Sequence, residues 1–134
     1  MSLNDPSGAH VVFVDDDLYV LDSMRRVFMH MNTPWHLEFF ANPREALEYV
    51  KHQPCDAIVS DISMPEMTGF GLLAEVRARH PAAFCVLLSG DFCEADLREC
   101  EQWGYVFLEK PCSLNDVRAL IEAGLEKARQ KEGA

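Results

Sequence analysis

The segment HVVFVDDD, His10 to Asp17, decides the fold: an unbroken apolar run that ends in three carboxylates. Val11, Val12, Phe13 and Val14 do not alternate with polar residues. A strand without a polar face is covered on both sides, as in a parallel sheet between two layers of helices. The same texture recurs in AIV within Ala57–Ser60 and in FCVLL, Phe84 to Leu88. Two further runs, His36–Phe40 and Tyr105–Leu108, complete a set of five. WHLEFF alternates in part and reads as a peripheral strand.

Helical spacing fills the intervals. Leu18, Leu21, Met24, Phe28 and Met31 recur at three and four residues and predict an amphipathic helix. Asn42-Pro43 opens a second, with Asn as cap and Pro at the first helical position, and Ala46, Leu47 and Val50 face inward. Leu72, Leu73, Val76 and Ala74 are expected on the inner face of a third. Asp91 to Glu101 predicts a short acidic fourth helix. Ser113 with Asp116 opens a fifth, carrying Val117, Leu120, Ile121 and Leu125 on one face. Five strand–helix units favour an α/β fold with a doubly wound parallel sheet.

Ligands of such sheets sit outside the carboxyl ends of the strands. There the sequence places Asp15, Asp16 and Asp17 after the first strand, Asp61 after the third, Ser89 after the fourth and Lys110 after the fifth. Clustered carboxylates stay ionised only when a cation offsets them. Oxygen ligands with open positions suit Mg²⁺, which readily shares its sphere with a phosphoryl group. An ammonium and a hydroxyl can meet phosphoryl oxygens, and a carboxylate can be the nucleophile that forms an aspartyl phosphate. The set reads as Mg²⁺-assisted phosphoryl transfer onto Asp. Asp17 is better suited to capping the first helix.

Four motifs, VVFVDDD (11–17), IVSDISMPEMTG (58–69), VLLSG (86–90) and FLEKP (107–111), resemble the receiver domains of two-component response regulators, the CheY-like family. The resemblance covers roughly residues 9 to 128 and implies a flavodoxin-like sheet of order 2-1-3-4-5 with helices on both faces. It implies Asp61 as phosphoacceptor, Asp15, Asp16, Asp61 and the Ser63 carbonyl as Mg²⁺ ligands, and Ser89, Gly90 and Lys110 around the phosphoryl group. Phe107 falls at a position that turns inward on activation, shifting the face of the fourth helix, fifth strand and fifth helix. Pro65, Gly69 and Pro111 are structural, with a cis Lys110–Pro111 bond. Gly90 stands where Ala is common, and Phe107 lacks the hydroxyl of Tyr. The implied partners are a sensor histidine kinase or phosphotransfer protein, an output domain or downstream protein that the motifs do not identify, and a phosphorylation-dependent homodimer.

Two other readings compete. Asp15-x-Asp17, Ser89 and Gly90-Asp91-x-x-x-x-Asp96 resemble a haloacid-dehalogenase-like phosphohydrolase, but Lys110 follows the acidic motif instead of preceding it, and Asp61 goes unexplained. A receiver-like interaction module independent of phosphorylation would be favoured by loss of Asp61, Lys110 or the acidic pair, and all are present.

Composition bounds the rest. A length of 134 residues supports one domain. A net charge of −10 argues against direct nucleic-acid contact and against anionic membranes. No apolar stretch approaches the length of a membrane span. Five cysteines without C-x-x-C spacing fit a reducing cytoplasm, with Cys85 in the core. The five histidines lack metal-ligand spacing, and the methionines (24, 29, 31, 64, 67) read mainly as packing. Residues 1–8 are expected to be disordered or foreign to the natural chain, 9–128 to form the receiver, and 129–134 to be a polar tail or linker start, with fraying from Lys127. The polar ending mildly favours a receiver cut from a longer protein over a stand-alone regulator.

Overall fold

A computed structural model describes residues 8–133. The elements follow in strict alternation: β1 (His10–Val14), α1 (Leu18–His30), β2 (His36–Phe40), α2 (Pro43–His52), β3 (Ala57–Asp61), α3 (Gly69–Arg79), β4 (Phe84–Ser89), α4 (Glu94–Trp103), β5 (Val106–Glu109) and α5 (Leu114–Gly133). All neighbouring strands pair in parallel, in the order β2-β1-β3-β4-β5. The expected sheet is therefore present, and β2 lies at its edge.

The unbroken apolar runs are explained by two cores. Successive side chains of a strand point to opposite faces. Val12 and Val14 join Ile58, Cys85 and Leu87 under α2, α3 and α4, where Ala46, Val50, Leu72, Leu73, Val76 and Cys100 cover them. Val11 and Phe13 join Val59, Val86 and Leu88 under α1 and α5, where Leu21, Met24, Phe28, Val117, Ile121 and Leu125 cover them. Burial pushes the Cys85 thiol up to about 11, as expected of a core residue.

The caps were largely legible. Asp17 is the N-cap of α1, its carboxylate accepting from the N–H groups of Tyr19 and Val20. Asn42 caps α2, with Pro43 in its first turn. Ser113 Oγ accepts from Asn115 N–H at 3.1 Å at the start of α5. Gly104, at φ +73°, ends α4 in the left-handed conformation that favours glycine.

Several expectations need correction. Leu18, predicted inward, is 67% exposed at the first position of α1, directly after the Asp17 cap. Ala74 and Met29 are exposed too. The fourth helix begins at Glu94, three residues late, and Tyr105 is buried just ahead of β5 instead of opening it. The helix α5 continues to Gly133, past the position where fraying was expected, with Gln130 donating to Glu126 one turn back. Residues 1–7, most of the expected N-terminal extension, lie outside the described residues.

Two glycines make contrasting predictions. A Cβ on Gly69 would collide with the Asp61 carbonyl oxygen and lie 2.8 Å from Leu87 Cδ2, whereas a Cβ on Gly90 meets nothing within 4 Å. Gly69→Ala should therefore cost about 1–3 kcal/mol by overpacking, and Gly90→Ala should be within about 0.5 kcal/mol of wild type. Urea unfolding of the two variants checks this.

Candidate functional site

Parallel pairing brings the carboxyl ends of β1, β3, β4 and β5 to one edge. Cross-strand bonds set the levels: Ile62 N–H donates to Leu88 O at 3.2 Å, and Lys110 N–H donates to Ser89 O at 2.8 Å. Lys110 is followed by Pro111 across a cis peptide bond, as expected. The turn after β3 is held by Gly69 N–H donating to Ile62 O at 2.8 Å. Without a Cβ on Gly69, this loop closes directly over the Asp61 backbone, which accounts for the glycine of D-x-x-M-P-x-x-x-G. Met64 of the same motif is buried in the core, while Pro65 is exposed in the turn.

Asp15, Asp16 and Asp61 converge at this edge. Each offers one carboxylate oxygen, and these oxygens all lie within 4.8 Å of one another. Asp15 is only 1% exposed, Asp61 is largely covered, and Asp16 is open to solvent. Asp15 Oδ1 accepts from Asp17 N–H at 2.9 Å, and its Oδ2 accepts from Lys110 Nζ at 3.0 Å. The same Nζ is 3.5 Å from Asp61 Oδ1. One ammonium thus serves two carboxylates and sits closer to the buried one.

The electrostatics follow from that asymmetry. Burial, joined by the charges of Asp15 and Asp16, holds the Asp61 carboxyl above the ordinary range, and Lys110 only partly opposes them. Burial alone would lower the Lys110 ammonium, but its hydrogen bond to Asp15 and the charges of Asp15 and Asp61 win, and it lies above the ordinary value. The site has an unmet demand for positive charge. Three convergent hard oxygens are the donor set that a small divalent cation such as Mg²⁺ prefers.

The remaining expected residues lie on β4, on β5 and on the loops after β3 and β4. Ser89 is buried, and its Oγ accepts from Asp91 N–H at 3.1 Å. Gly90 and Ser63 are exposed on the loops after β4 and β3. Phe107 is 40% exposed, which rules out a plain core role in this conformation. Asp17 turns away to cap α1, so the Asp15-x-Asp17 nucleophile pair of a dehalogenase-like site is not assembled.

Sequence reading missed three features. Ser60, fully buried, donates to the Asp61 carbonyl at 2.9 Å and helps fix its backbone. Phe92 packs against Phe107, their ring centroids 5.0 Å apart. His10 and His36, 26 positions apart in sequence, become register partners with ring centroids at 4.9 Å. A polar residue inside an apolar strand was the available signal for Ser60; the other two depend on strand register and loop path.

A family model for the response regulator receiver domain matches residues 11–122. The DNA-binding transcriptional regulator NtrC of Escherichia coli K12 is 28% identical over 94 residues, 69% of this chain and 20% of that protein. The response regulator Rre1 of Synechocystis is 27% identical over 91% of this chain and 58% of that protein. The chain therefore spans about a fifth of NtrC and just over half of Rre1. A CheY-like receiver domain protein from Methanospirillum hungatei superposes with a TM-score of 0.85 at 21% identity, covering 92% of this chain and 98% of that one.

The raised Asp61 carboxyl predicts a pH signature in metal-free protein. A folded carboxyl above its unfolded value disfavours the folded state once the unfolded chain ionises, and fully so above the folded pKa. Asp61→Asn should therefore raise Tm in EDTA at pH 7. The gain should shrink as pH falls through the carboxylate range, where wild-type Asp61 takes up its proton. Thermal unfolding of both proteins across that range checks it.

Proposed function

The chain belongs to the response-regulator receiver family, and from that premise we propose that Asp61 is the residue it phosphorylates. The observation that carries the reading is the convergence of Asp15, Asp16 and Asp61 with Lys110 at one sheet edge. The donor is a phosphohistidine on a sensor histidine kinase or phosphotransfer protein. An Asp61 oxygen forms the new P–O bond, the P–N bond breaks, and its electron pair returns to the imidazole, which is protonated from solvent. Lys110 Nζ, already between Asp15 and Asp61, orients the acceptor and offers its charge to a phosphoryl oxygen. The Ser89 hydroxyl donates to another phosphoryl oxygen, and Gly90 leaves that approach open. Asp15, Asp16, Asp61 and the Ser63 carbonyl would hold Mg²⁺, which would offset the carboxylate repulsion and the charge on the phosphoryl oxygens.

Output follows from movement of Ser89 toward Asp61, which vacates space for Phe107 and alters the α4–β5–α5 face. Such two-state coupling is typically about 1–3 kcal/mol. That face then meets a downstream protein, an output domain or a second copy of the chain. The role is that of a signalling phosphoacceptor and not of an enzyme with turnover; self-phosphorylation from small donors and slow loss of phosphate are its only reactions. Direct contact with nucleic acid does not fit the net charge of −10, and NtrC's DNA binding belongs to a protein of which this chain spans a fifth. Five free thiols fit the reducing cytoplasm. No helix among the described residues is long and apolar enough to cross a membrane.

Acetyl phosphate should give a Mg²⁺-dependent phosphoryl adduct by intact mass in the wild type and none in Asp61→Ala. Lys110→Ala should slow adduct formation about 10²-fold, the scale expected for loss of one pre-placed donor. An adduct that persists in Asp61→Ala overturns the assignment. Failure of the wild type to react in Mg²⁺ favours a phosphorylation-independent module, and turnover of a phosphate ester that needs Asp15 favours the hydrolase.

A further inference from the structure

The four residues that leave β4, Ser89 to Phe92, touch both of the side chains that the proposed switch would move. At one end Asp91 N–H donates to Ser89 Oγ at 3.1 Å. At the other, the Phe92 ring stands 5.0 Å from the Phe107 ring with the planes 56° apart. That is an attractive tilted geometry for an aromatic pair. Phe92 is half-buried against the core under α2, α3 and α4, whereas Phe107 stays 40% exposed. Between the two contacts, Gly90 has open space on its Cβ side and joins them through a pliable link.

An outward Phe107 leaves apolar surface in water, so burial alone draws the ring inward. Until Ser89 moves, the space it would vacate is closed to the ring, and any contact made by the outward ring adds to that restraint. Among the described residues, Phe92 is the aromatic ring that contacts it.

We propose that Phe92 is a latch that holds Phe107 outward and thereby sets how strongly the phosphoryl group must act to switch this domain. The latch deepens the phosphoacceptor reading and rests on it. Drawing Ser89 toward Asp61 breaks the Asp91–Ser89 bond, moves the loop and separates Phe92 from Phe107. A ligand shifts a two-state equilibrium only by its differential affinity. The latch therefore weakens the apparent affinity for any phosphoryl mimic by the factor with which it favours the outward state. For an aromatic pair that factor is about 2- to 10-fold.

Beryllofluoride in Mg²⁺, titrated on the whole chain and followed by Trp fluorescence, tests this. Trp103, exposed on α4, supplies a reporter on the switching face. Phe92→Ala should lower the half-saturating concentration about 2- to 10-fold. Phe92→Leu keeps apolar burial and the fold, and should fall between wild type and Phe92→Ala. In a Phe107→Ala background, Phe92→Ala should change nothing, because the latch has no ring to hold. Unchanged or weaker binding in both Phe92 variants overturns the latch, as does an equal shift in the Phe107→Ala background. A wild type that takes up no beryllofluoride overturns the phosphoacceptor reading, and the latch falls with it; a wild type that binds with silent Phe92 variants removes the latch alone.

Discussion

Charge repulsion among carboxylates held at one sheet edge is the constraint on which this molecule turns. Asp15 is buried almost completely, and its two carboxylate oxygens accept from the Asp17 N–H and the Lys110 ammonium. Lys110 reaches it from the far side of the sheet, 95 positions away in sequence, because parallel register places the ends of β1 and β5 at one level. Asp61 is held above its ordinary pKa range chiefly by burial, which Lys110, 3.5 Å from its Oδ1, only partly opposes. A pocket built in this way favours whatever brings positive charge and withdraws electron density. The cost of burial is what makes the site receptive.

The fold that holds this arrangement was legible because parallel sheets leave a plain mark. Strands covered on both faces read as VVFV, AIV and FCVLL, and the carboxyl-end rule points to Asp15, Asp16, Asp61, Ser89 and Lys110 from the sequence alone. Capping was legible for a related reason: Asp17, Asn42 and Ser113 act on N–H groups two or three residues away, within one local window. Periodicity failed where the helix outruns the sheet. Leu18 continues the apolar spacing of α1 but, as the first residue of the helix, stands 67% exposed. The pairings Phe92–Phe107 and His10–His36 were not legible, since each joins residues from different chain segments through register and loop path.

Two glycines show that one residue type serves opposite needs at this edge. Gly69 is demanded by contact, because the loop after β3 must lie against the Asp61 backbone. Gly90 is not crowded at all. Its lack of a Cβ leaves the Ser89–Phe92 loop freer, and packing does not demand it. The acid-rich composition divides in the same manner. Three carboxylates converge at the site, while Glu94, Asp96, Glu99 and Glu101 make α4 rich in acidic side chains.

The most direct test of the account is the location of the phosphoryl group. Protein treated with acetyl phosphate and Mg²⁺ can be reduced with borohydride, which converts an aspartyl phosphate to homoserine, and then mapped by peptide mass spectrometry. Homoserine is expected at position 61, in the peptide spanning the turn after β3, and is expected to be absent when Mg²⁺ is chelated. Homoserine at position 15 or 16, or none with Mg²⁺ present, would contradict the assignment.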